Sequence, residues 1–424
     1  MRRVTDPPKE SPLSMPSLDA LPLDQIEFTD SAYFVDDSYR ALFKRLSHEA
    51  PIYRHANSQF GPYWSITRNA HIQEIMEQPL LFSSSAKNGG VSIFDGAATS
   101  TAEGESMDSF LMTDPPNHAG KRKVVAPAFT PSEMLRLSDA IRKRTCETLD
   151  TLPRGETFDW TSQVAVSLTT DMLAILFDFP WEDRHRLPIW SDAATSLTMM
   201  RDDPQGRHAL LGEMAMKFMG LWQQRLNAEP GPDLLSRMIH SDALGQMDPR
   251  EFIGNMILLV VGGNDTTRNS MSALVDVIHR FPGEWAKIKA DRSIIPNAAQ
   301  ELIRWYSPVI HVRRTVMEDV DFHGSAFKKG DKVVTWLVAG NRDEGVFDEP
   351  ARFIADRKNA RRHIAFGHGI HRCVGARLAE LQLQTLIEEM LNRDLQVELA
   401  GDIVREGHIL VNAINEVPVR IRAN

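Results

Sequence analysis

The chain has 424 residues, 42% of them hydrophobic, and its 48 Lys+Arg against 57 Asp+Glu leave a formal charge of −9. That length suits either two or three domains of about 100–200 residues or one large core. The acidic balance argues against nucleic acid as the main partner, which draws surplus Lys and Arg. Two cysteines, Cys146 and Cys373, are too few to build a zinc site or a four-cysteine iron–sulfur cluster from cysteine alone.

In chain order, residues 1–36 are expected to be a disordered or extended leader. Met1-Arg2-Arg3 runs into a Pro/Ser-rich stretch without the apolar segment of a secretory signal, which predicts a cytoplasmic protein. Residues 37–424 are expected to form a single domain, since no Gly/Pro/Ser linker divides them. Leu42, Phe43 and Leu46 have helical spacing, and 51–54 and 63–67 read as two short strands. Residues 87–109 are Gly-, Ser- and Ala-rich and predict a long loop. Several helices follow between Pro131 and Gln246, including the one carrying Cys146, which is read as an ordinary helical residue. Residues 248–279 predict one unusually long helix ended by Pro282-Gly283. The longest apolar run, Met256 to Val261, stops at Gly262-Gly263 and is too short for a membrane span. Short strands are expected near 320–323 and 332–338, and a helix after Cys373 through Leu391. The fold class is therefore mainly α with small β-sheets.

The most informative stretch runs from Phe366-Gly367-His368-Gly369 through Cys373-Val374-Gly375 at the entry to that last helix. Glycines allow close backbone approach. A thiolate before a helix N-terminus gains from its N–H groups, which predicts a lowered thiol pKa. The acid-free window 357–377 holds six Lys/Arg and three His, which adds to that field. In the long helix, Gly262-Gly263-Asn264-Asp265-Thr266-Thr267 weakens helical propensity by a few kcal/mol. Thr266 lies four residues after Gly262 and can hydrogen-bond its carbonyl, opening the helix ladder there.

Phe366-x-x-Gly369-x-x-x-Cys373-x-Gly375 resembles the haem-binding loop of the cytochrome P450 family, and the likeness runs from about Asp37 to the end of the chain. The resemblance implies the P450 fold, with the long helix crossing over a buried haem b (iron protoporphyrin IX) and Cys373 as the iron ligand. It implies that Asp265 and Thr266 relay protons to dioxygen, while Gly262 and Gly263 leave room for the macrocycle. His118, Arg122, Arg314 and His371 are then expected to hold the propionates, and Phe366 and Gly375 to flank the sulfur. Glu301 and Arg304 are expected to form a structural pair with Arg352. Expected pocket walls are Ile93, Phe94, Leu259, Gly263, Val309, Ile310 and Val411.

More narrowly, the runs 262–270 and 361–367 resemble bacterial alkane and fatty-acid terminal hydroxylases. The implied activity is insertion of one atom of O₂ into a C–H bond of a small lipophilic substrate. Electrons would come from an external ferredoxin and its NAD(P)H-dependent ferredoxin reductase, and the enzyme would be a monomer. Lys121, Lys123, Arg361, Arg362, Arg372 and Arg377 are the expected docking face. A terpene or steroid hydroxylase, a peroxide-driven enzyme and a non-catalytic haem-thiolate sensor are the alternatives.

Overall fold

A computed structural model describes residues 21–94 and 108–422. The first twenty residues of the expected leader lie outside this range, as does most of the 87–109 loop. Residues 21–36 correct the leader's extent. They form two 3-10 turns, Leu23–Gln25 and Ser31–Phe34, and bury Ile26, Phe28 and Phe34 against α1 (Tyr39–Glu49). Three large apolar side chains within nine residues supply more burial than a free leader would leave exposed.

Strands β1 (Ile52–His55) and β2 (Tyr63–Ile66) follow, then α2 (Asn69–Met76) and β3 (Phe82–Ser83). The helical part comprises α3 (Asn117–Val125), α4 (Pro131–Asp150), a strand β4 (Thr157–Asp159), α5 (Ser167–Phe177), α6 (Arg186–Thr195), α7 (Leu197–Asp202), α8 (Pro204–Leu226) and α9 (Leu234–Ile239). Pro204 opens α8 rather than breaking a helix: it occupies the first turn, where no N–H is needed, and Asp203 caps Gly206 N.

The long helix α10 spans Pro249–Arg280. The Asp248 carboxylate accepts from the N–H groups of Arg250 and Glu251 at 2.8 and 3.0 Å, and Pro249 presets the first turn. At about 1.5 Å per residue its 32 residues span roughly 48 Å. It packs on α5 and α6 on one side and on α12 (Ile295–Tyr306) and α14 (Ala376–Asn392) on the other, with α11 (Pro282–Ala290) at its end.

Strands β5 (His311–Val316), β6 (Val320–Phe322), β7 (Ser325–Phe327) and β8 (Lys332–Trp336) and the short helix α13 (Leu337–Gly340) come between α12 and the cysteine loop. The chain closes with β9 (Val397–Leu399), β10 (Val404–Glu406), β11 (Ala413–Glu416) and β12 (Pro418–Ile421). The largest sheet has the order β1-β2-β8-β5-β3, with β2 and β8 parallel and the other neighbours antiparallel. Trp64 pairs with Val333, so the N-terminal hairpin is completed by a strand from the far end of the chain. Helices and this sheet together enclose the space between α10 and the Cys373 loop.

Candidate active site

A cavity of about 280 Å³ lies between α10 and the N-terminal approach to α14. Leu258, Leu259, Gly262, Gly263 and Thr266 form its α10 wall; Phe366, Cys373, Val374 and Gly375 form the opposite one. The loop is held by its own backbone. Cys373 N–H donates to the Phe366 carbonyl at 2.8 Å, Gly367 N–H to Ile364 at 2.8 Å and Arg372 N–H to Gly369 at 3.1 Å. Gly369 has φ +67°, and a Cβ there would lie 2.4 Å from the Met76 carbonyl oxygen, so no other residue fits without backbone movement. Arg122 Nη2 donates to the Arg372 carbonyl at 2.5 Å, tying α3 to the residue before the cysteine.

The side chain of Cys373 is open toward this cavity. Its thiol pKa is raised, not lowered as the sequence suggested. Burial in the surrounding protein dominates, and the Gly375 N–H, Arg372 and Arg122 only partly offset it. The helix proper begins at Ala376, too far along for its N–H groups to reverse the desolvation. A metal ion is what converts such a thiol to thiolate outright.

The two glycines of α10 do different things. A Cβ on Gly262 meets nothing within 4 Å and would project into open cavity, whereas one on Gly263 would lie 2.6 Å from Leu173 Cδ2. Gly263 therefore permits close packing of α5, and the room for a flat group comes from Gly262. Thr266 Oγ1 donates to the Gly262 carbonyl at 3.2 Å, as the four-residue spacing predicts. Asp265 does not line the cavity. Adjacent helix residues are about 100° apart, which turns it toward α6. There it accepts from Ser191 Oγ at 2.7 Å and Thr195 Oγ1 at 3.1 Å, and Arg268 lies 3.3 Å away. Of the two residues expected to relay protons, Thr266 lines the cavity and Asp265 stands behind it against α6.

At the cavity's other edge, polar groups lack partners. His371 and His118 rings lie 4.3 Å apart; His371 Nε2 bonds Ser84 Oγ at 2.7 Å, leaving His371 Nδ1 and His118 Nε2 buried and unsatisfied. Arg314 is buried on the cavity wall, its pKa pushed down to about 10 by burial while Asp114 pulls it back only in part. Buried donors without acceptors are costly, and carboxylates at this edge would satisfy them. An open cysteine, a glycine-lined slot and a carboxylate-seeking edge in one cavity fit haem b.

Other expectations are redistributed. Leu259, Gly263 and Val309 line the cavity, while Ile93 and Ile310 are buried in a separate core with Phe43 and Trp336. Phe94 packs edge-on against Phe60, and Val411 bridges to Val309 rather than reaching the cavity. Val91, Leu258, Pro308 and Val312 take their places. Val312 and Arg314 share a face of β5 by strand alternation, a signal that would have found Val312 once Arg314 was chosen.

The structural pair is also corrected. Glu301 and Arg304 are fully buried and bidentate, at 2.7 and 2.8 Å, but the third member is Arg357, whose Nε donates to Glu301 Oε1 at 2.8 Å. Arg352 is an exposed partner of Glu349. It contributes only its carbonyl, which accepts from Arg304 and Arg357. A buried carboxylate takes the arginine whose backbone is already buried, and the segment after Phe353 turns inward to deliver it.

These features define a haem-thiolate site, a class in which a cysteine sulfur is the iron's protein ligand. The family model for cytochrome P450 matches residues 286–402. Linalool 8-monooxygenase of Pseudomonas putida is 35% identical over 387 residues, covering 89% of this chain and 94% of that protein. Among solved structures, a cytochrome P450-153 from Novosphingobium aromaticivorans is 42% identical with TM-score 0.86, covering 93% of this chain and 99% of that one. CYP153D17 from a Sphingomonas species is 46% identical with TM-score 0.88, covering 93% and 98%. The chain belongs to the cytochrome P450 family of monooxygenases, and its cofactor is haem b.

Proposed function

We propose that this P450 hydroxylates the terminal carbon of medium-chain n-alkanes or fatty acids. The observation that carries this reading is the charge distribution in the cavity. Its cationic residues, Arg122, Arg314 and Arg372, all belong to the Cys373 and propionate sides, while the α10 wall and Val91, Val309 and Val312 are uncharged. Among the described residues that wall selects an apolar chain. Haem b, held through Cys373, supplies dioxygen activation and insertion of one oxygen atom into a C–H bond.

The chain's own residues supply orientation and protons. Because a primary C–H bond is stronger than an internal one, terminal attack requires the substrate to be presented end-on, and Leu258, Leu259 and Val309 restrict its sideways approach. Thr266 holds its hydroxyl on the cavity wall, where it can pass a proton to oxygen. Asp265 is a positioning residue whose bonds to Ser191 and Thr195 fix this part of α10 against α6.

Electrons are proposed to arrive from a ferredoxin and its NAD(P)H-dependent reductase, with the enzyme acting as a monomer. Lys123, Arg361, Arg362, Arg372 and Arg377 are exposed and have no carboxylate partner among the described residues, while Lys121 is spent on Glu251 at 2.6 Å and drops out of the expected docking face. No helix among the described residues is long and apolar enough to cross a membrane.

A second reading, oxidation of a terpene alcohol, is favoured by the relative named for linalool. Product analysis by mass spectrometry after reconstituted turnover of n-octane, octanoate and linalool separates the two. The proposal expects 1-octanol or the ω-hydroxy acid as major product. Turnover of linalool alone establishes the second reading.

A further inference from the structure

A second cavity, of about 340 Å³, lies between α1, α13 and residues 342–352 and shares no lining residue with the haem cavity. Arg342 forms part of its lining. The Nη2 of Arg342 donates to the Trp305 carbonyl, and its guanidinium carbon sits 5.9 Å from the Tyr39 ring centroid. Its Nε and Nη1 are buried, with no hydrogen-bond partner among the described residues. Burial, with Arg40 and Arg304 nearby, pushes its pKa down to about 10, and Tyr39 and Asp37 offset this only in part.

The surrounding acids are already committed. Asp343 pairs with Arg68 at 2.8 Å and also accepts from the Asn69 and Gly345 N–H groups; Glu344 pairs with Lys44 and His48, and Glu349 with Arg352. Asp37 is shared among Arg40, Arg280 and Arg405. Among the described residues Arg342 thus has no carboxylate partner, and it stands beside walls made by Phe43, Val338, Ala339, Pro350 and Ala351.

We propose that this cavity binds an organic monocarboxylate with a short apolar tail, the carboxylate accepting from the unpartnered N–H groups of Arg342 and the tail lying on the apolar wall. A single unpaired guanidinium matches a monoanion, and the walls favour a ligand that buries hydrocarbon. This site is independent of the haem and of the substrate reading.

Isothermal titration of the holoenzyme with hexanoate tests it, with the haem Soret band followed in parallel. A hexanoate site that leaves the Soret band unshifted is expected, and Arg342→Met should weaken it at least tenfold. Lys44→Glu, an exposed change at the rim, should weaken it about threefold and serves if Arg342→Met does not fold. The proposal is overturned if the wild type has no such site, or if a folded Arg342→Met or Lys44→Glu binds hexanoate as the wild type does. Equal binding of hexan-1-ol or of inorganic phosphate also overturns it.

Discussion

Replacing Arg357 by Ala should damage this protein far more than replacing Arg352. Glu301 has no exposed surface and Arg357 only 4% at its side chain. Arg357 gives Glu301 a charge-assisted hydrogen bond at 2.8 Å and donates to the carbonyls of Asp348, Glu349 and Arg352. A hydrogen bond to a charged group contributes about 1.5–3 kcal/mol, and carbonyls left unsatisfied in the interior add a further loss of about 1–3 kcal/mol. The sum, about 2.5–6 kcal/mol, brackets the range of about 3–5 kcal/mol for breaking a buried ion pair from one side. Arg352→Ala loses one pair with Glu349, both more than half exposed and screened by solvent, so its effect on stability should be small. Urea unfolding of the two holoenzymes, followed by tryptophan fluorescence and by Soret absorbance, measures the difference directly. Arg352→Ala destabilising as much as Arg357→Ala, or Arg357→Ala within 1 kcal/mol of wild type, would refute the assignment of the triad.

The cysteine loop makes a second test: Gly369→Ala incurs about 1–2 kcal/mol for its positive φ plus about 1–3 kcal/mol for the collision with the Met76 carbonyl, whereas Gly330→Ala, also at positive φ but in open space, incurs only the first. Thermal unfolding should rank them in that order, and equal losses would contradict the packing described. Thr266→Ala should preserve the substrate-induced spin-state change while NADH consumption rises relative to product; unaltered coupling removes its proton-handling role. Buried neutral histidines set the acid limit of stability. Burial lowers His55 and His363 to about 3 and His311 to about 4, so these side chains stay unprotonated in the folded state while the unfolded chain takes up protons below about 6.5. Stability is then full above pH 6.5 and falls on acidification, by about 1.4 kcal/mol per histidine at pH 5.5 and about 4 kcal/mol for the three. A urea midpoint that is the same at pH 7.5 and 5.5 would show that these rings titrate freely.

What could be read from the sequence was local. Asp248-Pro249 and Pro282-Gly283 bracket α10 because a cap and a stop signal act through neighbouring backbone, and the structure ends the helix within a residue or two of both. The Thr266 to Gly262 bond follows from four-residue spacing in the same way. Cys373 was identifiable because Phe366-x-x-Gly369-x-x-x-Cys373-x-Gly375 resembles the haem-binding loop of the P450 family. Contacts set by tertiary packing were not legible. Arg352 and Arg357 lie five residues apart with the same charge, and only the inward turn after Phe353 decides which one meets Glu301. Gly262 and Gly263 look interchangeable until α5 places Leu173 beside one of them. Ile310 and Val309 differ by one position, yet one enters a core and the other the cavity wall, because neighbouring residues of an extended chain point to opposite sides. The residues at 21–36 looked like a tail because part of the core they join, around Trp336, comes from a distant part of the sequence.

The account rests on Cys373 as the protein ligand of a haem placed against Thr266. The reduced, carbon monoxide-bound difference spectrum of the wild type and of Cys373→His reads that ligand directly. The wild type should show the red-shifted Soret band of thiolate ligation, and Cys373→His should lose it while retaining haem and moving to the position of imidazole ligation. A thiolate band that survives in Cys373→His, or a wild type that binds no haem, would contradict the site as described.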